Sequence, residues 1–349
     1  MKPTMNSRFK GCLLGGAIGD AMGAPVEFKS LADIKKYLGE EGVTKFMPAY
    51  GAAGSITDDT QMSLFTAEAL IRAYFAEGRT GKAQYLRANG DGLLRWEKTQ
   101  LEDKPNAKYT GLLAERRLYS RRAPGATCMS AIRAMTSVTQ FAHNNSKGCG
   151  TVMRMAPVGL FAAATGAIDA YATGIDFSRQ THGHPTGYIA GGAFAYMIEL
   201  LVNGMDLWGA VLKVKEQIKD TSGFEETYRA LSSAVELAFD NGDPQKAIKA
   251  LGEGWIAEEA LAISVYCALI AKDFRQGVLM AVNHDGDTDS TGSMTGNILG
   301  AINGIESVPQ EWIDGVELRD VVEQVAEDLW DCQHWSQDSK GAERYYANY

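Results

Sequence analysis

An all-α fold is what this sequence predicts, and three observations carry that expectation. Only 9 of its 349 residues are proline. Apolar residues recur at three-to-four spacing through the long stretches between turn signals, and no convincing set of alternating, strand-like runs appears. Residues 60–77, TQMSLFTAEALIRAYFAE, set Met62, Phe65, Ala69 and Tyr74 or Phe75 along one face. Gly78 is placed to end that helix, because glycine takes the left-handed position after a last turn without a Cβ clash. The same periodicity predicts helices over 190–203, 205–219, 225–240, 244–251, 256–272, 274–283, 293–305 and 317–330. KFMPAYGAAGS reads as turn-rich loop. No Ser/Gly/Pro-rich linker or charge block interrupts the chain, so one domain over 1–349 is expected.

Three segments repeat glycine at every fourth position: Gly11, Gly15, Gly19 and Gly23; Gly183, Gly187 and Gly191; Gly292, Gly296, Gly300 and Gly304. Each helical glycine costs about 1 kcal/mol relative to alanine. A smooth stripe that lets helix backbones approach closely is what would offset that cost. Each stripe adjoins a polar cluster, and those clusters are the candidates for chemistry.

Composition narrows the function classes. A formal charge of −9 argues against nucleic acid as the main partner. No run approaches the roughly 20 apolar residues of a spanning helix, so no membrane partner is expected. Near the start, Lys2, Arg8 and Lys10 precede GCLLGGAIGDAMGA, which imitates a signal peptide until Asp20 and the glycines break its apolar core. Five scattered cysteines without a CxxC pair fit neither a disulfide framework nor a zinc site, and a cytoplasmic location is expected.

Ser55-Ile56-Thr57-Asp58-Asp59-Thr60 precedes the first amphipathic helix. Capping, with acids favoured at the positive helix end, accounts for one side chain. Two aspartates flanked by threonines also form a dense set of hard oxygen donors of the kind Mg2+ or Ca2+ takes. His284-Asp285-Gly286-Asp287-Thr288-Asp289-Ser290-Thr291-Gly292 begins like a calcium loop, but position 12 counted from Asp285 is Gly296, so an EF-hand is excluded. Asp287 and Asp289 remain, pointing the same way in an extended or turning segment with Ser290 beside them. The charge of Asp58, Asp59, Asp287 and Asp289 would match two Mg2+, and without metal such acids repel one another. The opposite reading leaves the two clusters distant and solvated.

Asp20 and Glu27 lie in a small, apolar stretch, where acids are either salt-bridged or functional. Lys147-Gly148-Cys149-Gly150-Thr151-Val152-Met153-Arg154 is a glycine-flanked loop entering a helix, a way of presenting backbone amides to phosphate. Thr181-His182-Gly183-His184-Pro185 lacks the three or four ligands of a zinc site; hydrogen bonding to a ligand phosphate or a helix end suits it better.

As an ordered series, GDAMGAPVEF, SITDDTQM, RAPG, GCGTVMR, THGHP and GDTDSTG resemble the ADP-ribosylglycohydrolase family over residues 16–292. That resemblance implies an all-α, compact orthogonal helical bundle with a binuclear Mg2+ centre at helix termini. It implies a hydrolase that removes ADP-ribose from an ADP-ribosylated protein, with ADP-ribose as product. Position by position it implies Thr57, Asp58, Asp59, Asp287, Asp289 and Ser290 as metal ligands and Glu27 as a mobile acid beside them. Gly148, Gly150, Thr151 and His182 are implied around the diphosphate. Cys149 departs from the asparagine of many relatives. The DSTG run is similar to arginine-directed members, whereas serine-directed ones tend to read DTIA.

Breaking an anomeric carbon–nitrogen bond requires holding the sugar, activating water and protonating the leaving nitrogen. Glu27 and Asp59 are the expected catalytic pair for that proton traffic. The alternatives are a hydrolase of O-linked ADP-ribose, on serine or as O-acetyl-ADP-ribose, and a non-catalytic ADP-ribose-binding protein of the same fold.

Overall fold

The computed structural model describes residues 3–80, 84–336 and 340–346. Among them the only sheet is a hairpin of two two-residue strands, Pro48–Ala49 and Ala52–Ala53. The first half runs α1 (Met5–Gly23), α2 (Leu31–Leu38), α3 (Asp58–Thr80), α4 (Tyr85–Leu101), α5 (Ala126–Arg133), α6 (Ala156–Thr165) and α7 (Ala170–Arg179). The second half continues with α8 (Pro185–Val202), α9 (Leu207–Ile218), α10 (Glu225–Asp240), α11 (Pro244–Leu251), α12 (Ala257–Ile270) and α13 (Phe274–Ala281). It closes with α14 (Thr288–Asn303), α15 (Gln310–Gly315), α16 (Arg319–Asp331) and α17 (Lys340–Tyr346). Asp169, Asp206, Asp243, Asp273 and Asp287 each cap a helix by accepting from an amide two or three residues on. Such caps contribute about 1 kcal/mol apiece.

Two of the glycine stripes close on each other. Gly11, Gly15, Gly19 and Gly23 of α1 face, in reverse order, Gly304, Gly300, Gly296, Gly292 and Thr288, so α1 and α14 run antiparallel with their backbones in contact. A Cβ at Gly15 or Gly19 would overlap the carbonyl of Gly296 or Gly292. Asn297 Nδ2 donates to Cys12 O at 2.7 Å across the same seam. The third stripe does something different. Gly183 lies before α8 and faces the Asn144 carbonyl, Gly187 faces the Lys147 backbone, and Gly191 makes room for the Ser178 side chain. It seats the Asn144–Lys147 loop at its first two positions and helix α7 at Gly191, so it does not join the α1–α14 seam.

Boundaries also differ from the sequence reading. The helix expected over 60–77 begins at Asp58 and runs through Gly78 to Thr80. The one expected over 293–305 begins at Thr288. Asp289 and Ser290 therefore sit in the first turn of a helix, not in an extended segment. Helix α6 has no one-faced period, being buried from Ala156 to Ala162 without a polar face.

Candidate active site

The seam between α1 and α14 brings the end of one helix beside the start of the other. Gly23 lies against Thr288, whose hydroxyl donates to Gly23 O at 3.0 Å. The turn after α1 then carries Glu27, with its amide on Gly23 O at 3.0 Å. Carboxylate oxygens of Glu27, Asp287 and Asp289 lie within 4.8 Å of one another. Asp287 caps α14, and Asp289 Oδ1 accepts from the Ser290 amide at 3.0 Å. Ser290 Oγ faces Met153 Sδ at 3.8 Å.

The start of α3 is fastened to the same place by Asp20. The Thr57 amide donates to both Asp20 oxygens at 3.0 Å, and the Thr60 amide and hydroxyl donate to Oδ2. Asp20 is thus a helix cap supplied by another helix, and no cation acts on it. Thr57 Oγ1 accepts from the Asp59 amide at 3.3 Å. The Asp58 amide donates to Arg122 O at 3.0 Å, while Asp58 Oδ2 accepts from the Gly125 amide at 3.1 Å. The RAPG motif therefore positions Asp58. Asp59 Oδ1 is buried with no hydrogen-bond partner.

Electrostatics mark the cluster as incomplete without positive charge. Burial first, then Asp289, Asp287, Asp58 and Asp20, push Glu27 up to about 10. Burial and Asp289 raise Asp20 to about 7. Asp58, Asp59 and Asp287 are all held well above the usual carboxylate range, burial again leading. No lysine or arginine forms a salt bridge with these acids among the described residues, and Arg154 reaches Asp58 only through space. A hard divalent cation is the partner that such oxygen donors fit, and the unpartnered Asp59 Oδ1 is a ready ligand atom.

The Lys147–Arg154 loop lies beside this cluster. The Cys149 thiol hydrogen-bonds with Asp287, and burial with Asp287 and Asp59 keeps it far above an ordinary thiol. The Cys149 amide is already used by Trp255 O at 3.1 Å. Lys147 is likewise occupied, paired with Glu226 at 2.6 Å and with Glu258. Gly148 and Gly150 leave room for the buried His182 ring, and Thr151 Oγ1 donates to Gly148 O at 3.3 Å. Burial and Arg154 lower His182 to about 3, so the imidazole is neutral, with Nδ1 on Thr181 Oγ1 at 2.9 Å. His184 turns away to accept from the Thr186 amide at the start of α8. All eleven of the expected positions, from Glu27 to Ser290, lie in the acidic cluster, in the Lys147–Arg154 loop or, for His182, against that loop. Sequence reasoning missed the capping role of Asp20, and it missed Tyr50. That tyrosine's hydroxyl is pushed up by burial and by Glu27, Asp289, Asp20 and Asp58.

Known proteins resemble this chain over most of its length. The family model described as ADP-ribosylglycohydrolase matches residues 1–338. The chain is 25% identical to an ADP-ribosyl-[dinitrogen reductase] glycohydrolase of Rhodospirillum rubrum, covering 91% of this chain and 92% of that one. It is 24% identical to the ADP-ribosylarginine hydrolase Tri1 of Pseudomonas putida, over 93% and 78% of the two chains. A solved ADP-ribosylglycohydrolase-related protein complex shares the fold, with a TM-score of 0.69 at 23% identity, covering 94% of this chain and 99% of the other.

Proposed function

Because the chain belongs to the ADP-ribosylglycohydrolase family, we propose that it hydrolyses the N-glycosidic bond joining ADP-ribose to an arginine side chain of a modified protein. The observation that carries this reading is the convergence of five buried or half-buried acids, Glu27, Asp58, Asp59, Asp287 and Asp289, none of them salt-bridged to a lysine or arginine among the described residues. In this reading Thr57, Asp58, Asp59, Asp287, Asp289 and Ser290 would hold two Mg2+. Bound there, the ions supply Lewis-acid orientation of the ribose hydroxyls and a water of lowered pKa.

The chain's own groups do the rest. Glu27, whose carboxyl is raised by burial and the neighbouring acids, is the group placed to hold a proton where the leaving guanidine nitrogen needs one. Asp59, placed beside the proposed ions, is the acceptor for a proton from water. Gly148, Gly150 and Thr151 hold the diphosphate, with neutral His182 behind them. The whole chain, 1–349, works as one domain in the cytoplasm, where the cysteines, all five free, stay reduced. Among the described residues no helix is long and apolar enough to cross a membrane.

The arginine linkage is supported by the Asp289-Ser290-Thr291-Gly292 run and by the likeness to a hydrolase named for ADP-ribosylarginine. A guanidinium is cationic at every working pH, so carboxylates around the mouth attract it and salt weakens the attraction. Incubation with Mg2+ and matched arginine-linked and serine-linked ADP-ribosyl peptides tests the proposal. Faster ADP-ribose release from arginine, with KM rising as ionic strength rises, is expected. Preference for serine would overturn the linkage.

A further inference from the structure

We propose that Phe28, backed by Trp255, is the platform on which the departing arginine guanidinium lies and so a determinant of linkage specificity, an inference that rests on the arginine reading above. Phe28 follows Glu27 directly, yet its ring is 73% exposed instead of buried in the adjacent core. One face stacks on Trp255, with ring centroids 5.3 Å apart and planes 16° from parallel. The backbone at Phe28 has φ of 66°, a conformation that bulky side chains avoid. Strain of this kind persists where the surroundings hold it, and it holds this ring outside the core.

Trp255 is anchored to the other wall of the acidic cluster. Its carbonyl accepts from the Cys149 amide at 3.1 Å, and its indole N–H donates to Glu253 at 3.2 Å. Glu253 O in turn accepts from the Asp287 amide at 2.8 Å. The aromatic pair therefore bridges the Glu27 turn and the Asp287 loop, the two sides of the site. The ring quadrupole presents negative charge on the open face. A planar cation arriving beside Glu27 meets that face. The same chemistry is already satisfied elsewhere near Glu27: the Arg122 guanidinium lies over the Tyr50 ring, 5.0 Å from its centroid. An alkyl oxygen leaving group, as in a serine linkage, gains nothing from such a face.

Phe28→Leu removes the π face and keeps an apolar side chain, and Phe28→Tyr keeps both. With Mg2+ present, Phe28→Leu is expected to lower kcat/KM for an arginine-linked peptide about threefold to thirtyfold more than for a serine-linked one, the range that exposed and desolvated cation–π contacts span. Phe28→Tyr is expected to restore the ratio to within about twofold, and Trp255→Leu to lower it in the same direction. ADP-ribose affinity by calorimetry should stay within about twofold throughout. Equal losses on both linkages, or a parallel loss of ADP-ribose affinity, would overturn the proposal, since the ring would then hold the nucleotide or only the fold. If the wild-type protein leaves arginine linkages uncut, the functional reading fails separately. The platform is then decided by binding to Glu27→Gln protein: it requires ADP-ribosylarginine to bind more tightly than ADP-ribose and Phe28→Leu to erase the difference, and equal binding refutes it.

Discussion

Changing Asp20 to asparagine sets two physical effects against each other with opposite signs. If Asp20 were merely one more carboxylate in a crowded cluster, removing its charge would relieve repulsion with Asp289 and stabilise the metal-free protein. The geometry argues that its main work is accepting hydrogen bonds. Three donors, the amides of Thr57 and Thr60 and the Thr60 hydroxyl, converge on it at the start of α3, and its side chain is fully buried. Asparagine offers one oxygen, and its NH2 would face a backbone N–H that then has no acceptor. A buried donor left unpaired costs about 1–3 kcal/mol, and hydrogen bonds to a charged group are worth about 1.5–3. The unpaired donor predicts a loss of about 1–3 kcal/mol. Because Asp20 is raised to about 7, the stability measurement belongs near pH 5, where the wild-type carboxyl is protonated and no relief of charge competes with the lost acceptor. Denaturant unfolding gives the stability change, and calorimetric titration with Mg2+ gives a second readout, expected to weaken about tenfold to a hundredfold as for other groups that orient ligands. A variant as stable as the wild type, with Mg2+ affinity intact, would refute the role given to Asp20.

Glu27→Gln should keep ADP-ribose affinity while lowering kcat by about 10²–10⁴, and normal turnover would reduce Glu27 to a structural group. Divalent cations should matter most at alkaline pH. Asp20 and Glu27 have folded-state values raised to about 7 and about 10, so their contribution to stability is whole below about pH 4 and is lost as pH rises through those values. The melting temperature in EDTA should fall from pH 5 to 9 and Mg2+ should restore it chiefly at the upper end; an Mg2+ effect of the same size at pH 5 and 9 would count against the linkage. Gly296→Ala should destabilise by about 3 kcal/mol or more, since its Cβ would overlap the Gly15 carbonyl, whereas Gly242→Ala, with open space around it, should change stability by less than about 0.5 kcal/mol; unfolding midpoints compare the two.

How much of this was legible in the sequence depends on whether a residue's meaning is local. Thr57-Asp58-Asp59 and Asp287-Thr288-Asp289-Ser290 were readable because oxygen donors at that density exceed what capping needs, and each run sits at a helix start whether or not the boundary is placed correctly. The error at Gly78 has a plain cause: one glycine inside a helix costs about 1 kcal/mol, which a long helix absorbs, so the residue does not have to stop it. Asp20 was read as either salt-bridged or functional because its true partners, Thr57 and Thr60, are 37 and 40 residues away and belong to another helix. Nothing in its neighbourhood announces them. Tyr50 and Phe28 were invisible as site residues for a related reason, since a positive φ in an aromatic residue leaves no compositional trace.

The two acid-bearing helix starts must be held in register by something that does not depend on the acids, because carboxylates that repel one another cannot assemble their own site. The glycine seam supplies this. It locks α1 against α14 by backbone contact, so that Gly23 and Thr288 meet at a fixed level. Asp20, one turn before the end of α1, then reaches across to the first turn of α3 and ties the Asp58–Asp59 pair to that same level. A single helix, α1, thereby carries both constraints, one through the absence of side chains and the other through one buried carboxylate. Gly19 and Asp20 stand side by side and divide the work: the first sets the distance to α14 and the second sets the distance to α3. Loss of either should loosen cation binding. Only loss of the seam should also cost the packing of α14 itself, so Gly296→Ala and Asp20→Asn are separable by comparing the loss in Mg2+ affinity with the loss in stability.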